Sequence, residues 1–328
     1  MKRSTARIAG LGFAFAAGFG ASAALAAYRR DLHAARARVR EASRMATTAR
    51  GPIEFAEIGT GAPVLVVHGA GGGIDQGLDI AAPLAAHGCR VIAMSRFGYL
   101  RTPLPADASP QAQADAHASL LDALGVARAA IIGASAGAPS ALQFALRHRD
   151  RCAALVLMVP ALYAPRRDGD GSRLPAPRWT PVLFDTVLRS DLLFWVALRS
   201  STRTVVRALL ATPPQVVQAA ERNEQERVAR LLAHILPVSE RRRGLLNDLR
   251  ITSALCRAPL ERVGVPTLTI GAADDLFGTF AAARYAAEHI PGARFLGFEH
   301  GGHVLVGHER TVVEAIARLL DSGTASAR

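Results

Sequence analysis

Gly133-Ala134-Ser135-Ala136-Gly137 lies between an apolar run of β character, residues 129–132, and a run of helical character that begins near Pro139. At so sharp a turn, the flanking glycines remove Cβ atoms that would collide with the strand and the helix, and the serine hydroxyl is left exposed. The five-residue pattern alone is weak evidence in a glycine-rich chain. Together with the strand before it and the helix after it, the pattern indicates a nucleophile elbow.

Candidate partners for this serine follow downstream. A serine hydroxyl becomes a good nucleophile when an imidazole takes its proton and a carboxylate orients that imidazole. One further strand-like run leads into Asp274 and Asp275, and another leads into His300 and His303. Open α/β sheets place their ligand sites just past the carboxyl ends of parallel strands. The sequence therefore predicts that a serine, an acid and a histidine meet at one edge of such a sheet.

A glycine-rich segment, His68-Gly-Ala-Gly-Gly-Gly73, follows a strand-like run upstream of the serine. The oxyanion that forms on an attacked carbonyl needs N–H donors, and losing one typically costs about 3 kcal/mol of transition-state stabilisation. We expect one donor to be the amide of Ala136, which follows the serine. The other is expected from Ala70, with Gly71 as the alternative. We interpret His68 as a structural hydrogen bonder.

Residues 52 to about 320 resemble the α/β-hydrolase superfamily, in the branch with an H-G-x-G loop, a G-x-S-x-G elbow and a late G-H pair. The order of serine, acid and histidine along the chain also matches this family. The resemblance implies an α/β fold with a mostly parallel, eight-stranded-type sheet flanked by helices and an inserted helical cap. The chain departs from the family at Ala134, where many relatives have histidine, and at Gly278 and Thr279, which replace the usual Val-Pro. None of these changes removes a required group.

The resemblance also decides between competing side chains. Alignment with the family's acid loop favours Asp275 over Asp274, which then caps the loop. A glycine pair leads directly into His303, as in the family's G-H signature, so we prefer His303 to His300 and to His308. The expected triad is the elbow serine with Asp275 and His303.

Length and composition allow one large core with additions. The chain has 328 residues, of which 50% are hydrophobic. The predicted division is an N-terminal segment with a basic helix (1–50), a hydrolase core (51–160 and 260–320), a helical cap (161–259) and a disordered tail (321–328). Apolar runs predict strands at 64–67, 129–132, 155–159, 266–270 and 293–298. Helical periodicity predicts cap helices at 181–200, 204–211, 214–236 and 240–255, after a glycine- and proline-rich loop at 168–177.

From the resemblance we expect a serine esterase that acts on a small apolar substrate without a cofactor. The first predicted cap helix, 181–200, is apolar on more than one face. One face covers the core, and the apolar side chains on the other faces either line an acyl pocket or also pack on the core. The same fold also serves carbon–carbon bond hydrolases, acyltransferases, perhydrolases and non-catalytic ligand binders, which stay open as alternatives. No feature of the sequence indicates an oligomeric state.

The N-terminal region contains an uncharged stretch of 20 residues, 8–27. At about 1.5 Å per residue, such a helix could just cross a bilayer core of roughly 30 Å. We therefore expect a membrane-associated protein with a single N-terminal pass. Six arginines follow within residues 28–44, which favours a cytoplasmic enzyme. A signal peptide cleaved after the A-x-A-like residues 24–26, and hence a secreted or periplasmic enzyme, is the alternative.

Charge and cysteines exclude several classes of protein. Residues 1–50 carry a net charge of +8 and residues 161–259 of +7, the rest of the chain carries −3, and no nucleic-acid-binding motif accompanies the total of +12. An anionic membrane surface or an arginine bias of the genome accounts for it better. The three cysteines are widely spaced, with no His/Cys cluster. Neither a metal site nor a disulfide framework is expected.

Overall fold

The computed structural model describes the backbone of residues 2–165, 188–200 and 202–325, and the side chains of those between 22 and 321. Within these ranges the chain forms eight strands and eleven α-helices. The strands are β1 (Arg44–Thr48), β2 (Gly51–Ile58), β3 (Ala62–Val67), β4 (Cys89–Met94), β5 (Ala129–Ala134), β6 (Cys152–Met158), β7 (Thr267–Ala272) and β8 (Arg294–Phe298). The helices are α1 (Lys2–Ala42), α2 (Ile74–Ala85), α3 (Pro110–Ala123), α4 (Ala138–Arg147), α5 (Asp191–Ser200), α6 (Thr202–Leu209), α7 (Pro214–Ala219), α8 (Arg222–Ala233), α9 (Arg242–Ser253), α10 (Thr279–His289) and α11 (Glu309–Ala325).

The eight strands form one sheet in the order β1-β2-β4-β3-β5-β6-β7-β8. Strand β2 runs antiparallel to β1 and β4, and the other neighbouring pairs are parallel. Helices cover both faces, so the central strands read as continuous apolar runs and β5 is buried at every residue. Residues of α3, α4 and α10 pack on one face, and residues of α2 and α11 pack on the other. The predicted eight-stranded, mostly parallel sheet is confirmed.

Within the described cap, the predicted helix over 181–200 is interrupted at Ser190, and the predicted helix over 214–236 is divided in two. A single helix was expected over 214–236, but the chain is extended at Ala220 and Glu221 and separates α7 from α8. The side-chain amide of Gln225 donates to the carbonyls of Gln218 and Ala220, at 3.3 and 2.9 Å. It thereby satisfies acceptors that a helix end leaves free. The predicted loop at 168–177 and the first part of the predicted helix, 181–187, lie outside the described residues.

The N-terminal prediction is wrong. In the part of the chain that the structure describes, no helix is both long and apolar enough to cross a bilayer, so the expected span over 8–27 and the membrane-associated localisation are not supported. The apolar run belongs to a longer helix, α1, which continues through the basic segment to Ala42. The second half of α1 packs on the enzyme, where Leu32, Ala35 and Val39 are buried.

Both predicted ends of the core also shift. Strand β1 begins at Arg44 and pairs with β2, so the sheet starts before residue 51. At the other end, α11 continues to Ala325, so residues 321–325 extend a helix where a disordered tail was expected. Buried Ile316 and Leu319 show that this helix packs on the sheet as far as Leu319. Residues 326–328 are outside the described range.

Candidate active site

Ser135 occupies a strained turn between β5 and α4. It begins a short 3-10 turn, Ser135–Gly137, with a φ of +47°, a conformation that non-glycine residues rarely adopt. A Cβ atom on Gly133 would lie 2.5 Å from the Cβ of Ala141, and one on Gly137 would lie 2.4 Å from the carbonyl oxygen of Val67. Both glycines are therefore required for strand, turn and helix to come this close.

The structure brings Ser135, His303 and Asp275 together. His303 Nε2 lies 2.9 Å from Ser135 Oγ, and His303 Nδ1 lies 2.8 Å from Asp275 Oδ2. A carboxylate can only accept, so Nδ1 carries the proton and Nε2 is free to accept from the hydroxyl. Asp275 follows β7 and His303 follows β8, which brings the ends of three parallel strands to one site. This arrangement can move a proton from the serine to the imidazole.

The carboxylate of Asp275 is fixed from several sides. It is 5% exposed, and it accepts from the Phe277 amide at 2.8 Å and from the Thr279 hydroxyl. Burial alone would raise the pKa of Asp275. The hydrogen bond and the charge of His303, together with the hydrogen bonds from Thr279 and the Phe277 amide, hold this pKa below its ordinary value. The group therefore stays ionised at neutral pH and can stabilise an imidazolium beside it.

Asp274 and His300 lie outside this cluster. The Asp274 carboxylate accepts from the amides of Gly301 and Gly302 at 3.3 and 2.7 Å, and so ties the acid loop to the histidine loop. The His300 side chain is 77% exposed. His308 Nε2 donates to the His300 carbonyl at 3.0 Å, which occupies that ring nitrogen away from the serine.

His68 shapes the glycine-rich loop from within. It is fully buried, donates from Nδ1 to the Gly69 carbonyl at 2.7 Å and accepts at Nε2 from the Arg96 amide at 3.0 Å. Burial, and after it the charge of Arg96, holds the pKa of His68 well below its ordinary value. A neutral ring with both nitrogens engaged fits a structural role.

Two backbone amides near Ser135 remain candidates for binding an oxyanion. Ala136 is the second residue of the 3-10 turn, and amides in the first turn of a helix have no partner within it. In the glycine-rich loop, the Gly69 amide donates to Gln76 Oε1 at 2.7 Å, and the Gly71 amide donates to the Tyr99 hydroxyl at 3.3 Å. Since both neighbours are engaged, the Ala70 amide is the better candidate of the two alternatives in this loop.

Two pockets meet at Ser135. The larger encloses about 470 Å³ and is lined mainly by apolar residues of the cap and the core, with Ala70 and Ala136 on its wall. The smaller encloses about 150 Å³, includes His303 and carries polar side chains at Gln76, Asp79, Arg227 and Glu309. Ala70, Ser135, Leu209 and Phe277 belong to both pockets. A substrate bound across the serine would therefore contact both pockets, which differ mainly in volume.

Sequence reasoning missed the ion pairs that seat the cap over this site. Arg96, after β4, donates from both terminal nitrogens to Asp248 on α9, at 2.7 and 2.6 Å, and both side chains are buried. The Tyr99 hydroxyl donates to the same carboxylate. Asp248 is the single acidic residue of α9. A lone carboxylate on a partly apolar helix was the feature of the sequence that could have indicated a buried ion pair. Nothing local in the sequence named Arg96 as its partner.

Among the described residues, no group of three His, Cys, Asp or Glu side chains could hold a metal ion. Cys89 and Cys152 are buried and Cys256 is exposed, and all three are free thiols.

Comparison with known proteins gives related hydrolases. A family model described as alpha/beta hydrolase fold matches residues 62–307. A 2-hydroxymuconate semialdehyde hydrolase from Pseudomonas sp. is 36% identical over 104 residues, which are 30% of this chain and 37% of that enzyme. The uncharacterised hydrolase YcgS from Bacillus subtilis is 26% identical over 269 residues, 78% of this chain and 89% of that protein. Among solved structures, an alpha/beta hydrolase fold protein from Nakamurella multipartita has a TM-score of 0.66 at 29% identity, and the match covers 86% of this chain and 99% of that one.

Proposed function

Because the chain belongs to the α/β-hydrolase fold family and is a hydrolase, we propose that it cleaves an ester bond of an apolar small molecule through an acyl-enzyme on Ser135. The family resemblance of the sequence motifs is confirmed by the match over residues 62–307. The observation that carries the finer proposal is the 2.9 Å contact between His303 Nε2 and Ser135 Oγ, with Asp275 behind the imidazole.

In the proposed reaction, Ser135 Oγ attacks the ester carbonyl while His303 Nε2 takes its proton. Asp275 keeps the imidazole in the required tautomer and stabilises its positive charge. The amides of Ala70 and Ala136 hold the oxyanion. His303 then gives the proton to the departing alcohol, and the same imidazole activates a water molecule that releases the acid.

The two pockets suggest how the substrate is oriented. The leaving group must lie near His303 to receive its proton, and His303 lines the smaller pocket only. The acyl group then occupies the larger, apolar pocket, beside the two amides. We therefore propose substrates with a bulky apolar acyl group and a small alcohol that tolerates polar neighbours.

A carbon–carbon bond hydrolase is the second candidate, because one relative is named for a semialdehyde that contains no ester. A substrate of this kind carries a carboxylate, which would need a cation on the pocket wall. Among the described lining residues of the two pockets, the one arginine is Arg227, and its guanidinium is already paired with Glu224 at 2.9 Å. Because this arginine is already paired, we favour an ester substrate over a substrate of a carbon–carbon bond hydrolase.

The test uses the purified full-length protein with a fluorophosphonate probe and with nitrophenyl esters from short to long acyl chains. We expect labelling and turnover by wild type, with the highest kcat/KM for acyl chains that fill the larger pocket, and neither labelling nor turnover by Ser135→Ala. Ser253→Ala, at a serine outside the site whose hydroxyl bonds the Arg250 carbonyl, is the matched control. Equal labelling of wild type and Ser135→Ala would contradict the proposal, and labelling of neither would favour a ligand-binding protein.

A further inference from the structure

The loop that carries His303 depends on outside contacts for its position. It joins β8 to α11 through Gly301, Gly302, Leu305 and Gly307, with φ angles of 131°, 60°, 52° and 81°. A left-handed conformation at a leucine persists only where its surroundings hold it, and glycines gain the most freedom when released. The imidazole is thus placed by whatever holds this loop.

Two cap side chains hold the backbone of this loop. Arg227 Nη2 donates to the carbonyl of Val304, the residue after His303, at 2.9 Å. Glu224 Oε2 accepts from the amide of Gly307 at 2.8 Å. Both side chains lie on α8 and each is 13% exposed. One cap helix therefore grips the loop on both sides of Leu305.

The two gripping side chains also fix each other. Arg227 Nη2 lies 2.9 Å from Glu224 Oε2, one helical turn away. Burial would raise the pKa of Glu224, but the Arg227 hydrogen bond, the Gly307 amide and the Arg227 charge hold it below its ordinary value. The carboxylate therefore stays ionised near neutral pH, and the grip persists there.

A second cap segment reaches the same two loops. The Leu276 amide, next to Asp275, donates to the Ala211 carbonyl at 2.9 Å. The Val304 amide lies 3.4 Å from Thr212 Oγ1, so Val304 is held through both its carbonyl and its amide. The acid loop and the histidine loop are thus both bonded to the cap.

We propose that Glu224 and Arg227 are positioning residues, which hold the His303 loop against the cap so that the imidazole reaches Ser135 only while the cap is seated. This inference rests on the proposed function, since it assumes that His303 is the base. The pair acts on the peptide next to His303, and a misplacement of about 1 Å at a reacting group can cost roughly a hundredfold in rate.

Glu224→Gln is the informative variant. It keeps the shape of the side chain, and Glu224 does not line either pocket, whereas Arg227 lines the smaller one. We expect kcat on nitrophenyl esters to fall by about tenfold or more while KM changes by less than about twofold. Glu226→Gln, on the same helix in an exposed pair with Arg222, is the matched control and should leave kcat unchanged. A change in KM alone, or an equal loss in Glu226→Gln, would overturn the proposal.

A second measurement does not depend on turnover. The Nδ1 proton of His303 should give a low-field proton resonance, assigned by its loss in Asp275→Asn, and Glu224→Gln should shift or broaden it. If wild type lacks esterase activity but this resonance responds, the positioning role stands and the esterase proposal fails. If the enzyme is active and Glu224→Gln moves neither kcat nor the resonance, the positioning role fails alone. Should Glu224→Gln not fold, by circular dichroism, Arg227→Lys is tested for the same outcomes.

Discussion

Strand β5 and helix α9 approach the site from the sheet and from the cap, with opposite chemistry. All six residues of β5 are alanine, isoleucine or glycine, and all are buried. Helix α9 instead faces the core with the buried carboxylate of Asp248. The residue before this helix, Arg241, is also buried. Ser135, the proposed nucleophile, is thus fixed by apolar packing, which depends little on solution conditions. The cap over it packs through an apolar cluster as well, but it is also held by buried charge pairs, which depend on pH and on single side chains.

Buried charged side chains between the cap and the rest of the protein are connected through Asp75. Arg241 donates to both oxygens of Asp75 on α2, at 3.1 and 2.7 Å, and is fully buried. Arg38 of α1 reaches the same carboxylate at 3.1 Å and the Leu236 carbonyl at 2.9 Å. The N-terminal helix, the cap and the core therefore meet at Asp75. Buried pairs of this kind contribute little net stability when intact, but breaking one is costly.

The largest effect is expected on the sheet side of the comparison. Asp275→Asn keeps the shape of the side chain but allows the imidazole to take the wrong tautomer, so kcat should fall by about 10⁴-fold. Asp274→Asn, one residue away, keeps a carbonyl that can accept from the Gly302 amide and should retain most of the activity. Steady-state kinetics on one nitrophenyl ester measure both. An equal loss in the two variants would mean that the choice between the adjacent acids is wrong.

The part of the site at the strand ends could be predicted because each of its residues follows a local pattern. Ser135, Asp275 and His303 each come after an apolar run, and parallel strands bring their carboxyl ends to one edge. The glycine-rich loop that we propose as the oxyanion loop also follows an apolar run, so its position at this edge could be predicted for the same reason. The sequence left Ala70 and Gly71 as alternatives, and only the Tyr99 hydroxyl on the Gly71 amide favours one of them.

The ion pairs that hold the cap on the core could not be predicted, because the paired residues are far apart in sequence. Asp75 and Arg241 are separated by 166 positions, and no periodicity relates them. The error at the N-terminus has a similar cause. The apolar composition of residues 8–27 suggested a bilayer span, but the same helix continues into a basic half whose Arg38 binds Asp75. Composition over a window does not reveal which tertiary contacts the rest of a helix makes.

Removing one partner of the buried pair should have the second largest effect. Arg241→Met leaves the Asp75 carboxylate with Arg38 and leaves the Gly72 carbonyl without its donor. We expect a loss of about 3 kcal/mol in the free energy of unfolding, measured by urea denaturation. Arg284→Met on α10 breaks a pair whose side chains are both 51% exposed, and it should change that free energy by less than about 0.5 kcal/mol. Similar losses in the two variants would remove the distinction between buried and surface charge on which the comparison depends.

The smallest effect is expected in how the free energy of unfolding changes at acidic pH. Burial alone would raise the pKa of Asp75, but Arg241 and Arg38 lower it from 3.8 to about 2. A carboxyl group with a depressed folded-state pKa contributes stability that is fully present above its unfolded pKa and is lost as the pH falls through the folded value. The shift corresponds to about 2 kcal/mol, present above about pH 4 and declining toward pH 2. Asp75→Asn cannot titrate, so the stability difference between wild type and this variant should narrow by that amount between about pH 5 and pH 2, as measured by urea denaturation at each pH. A difference that stays constant over this range would show that Asp75 is held by its shape and hydrogen bonds alone, and that charge does not seat the cap.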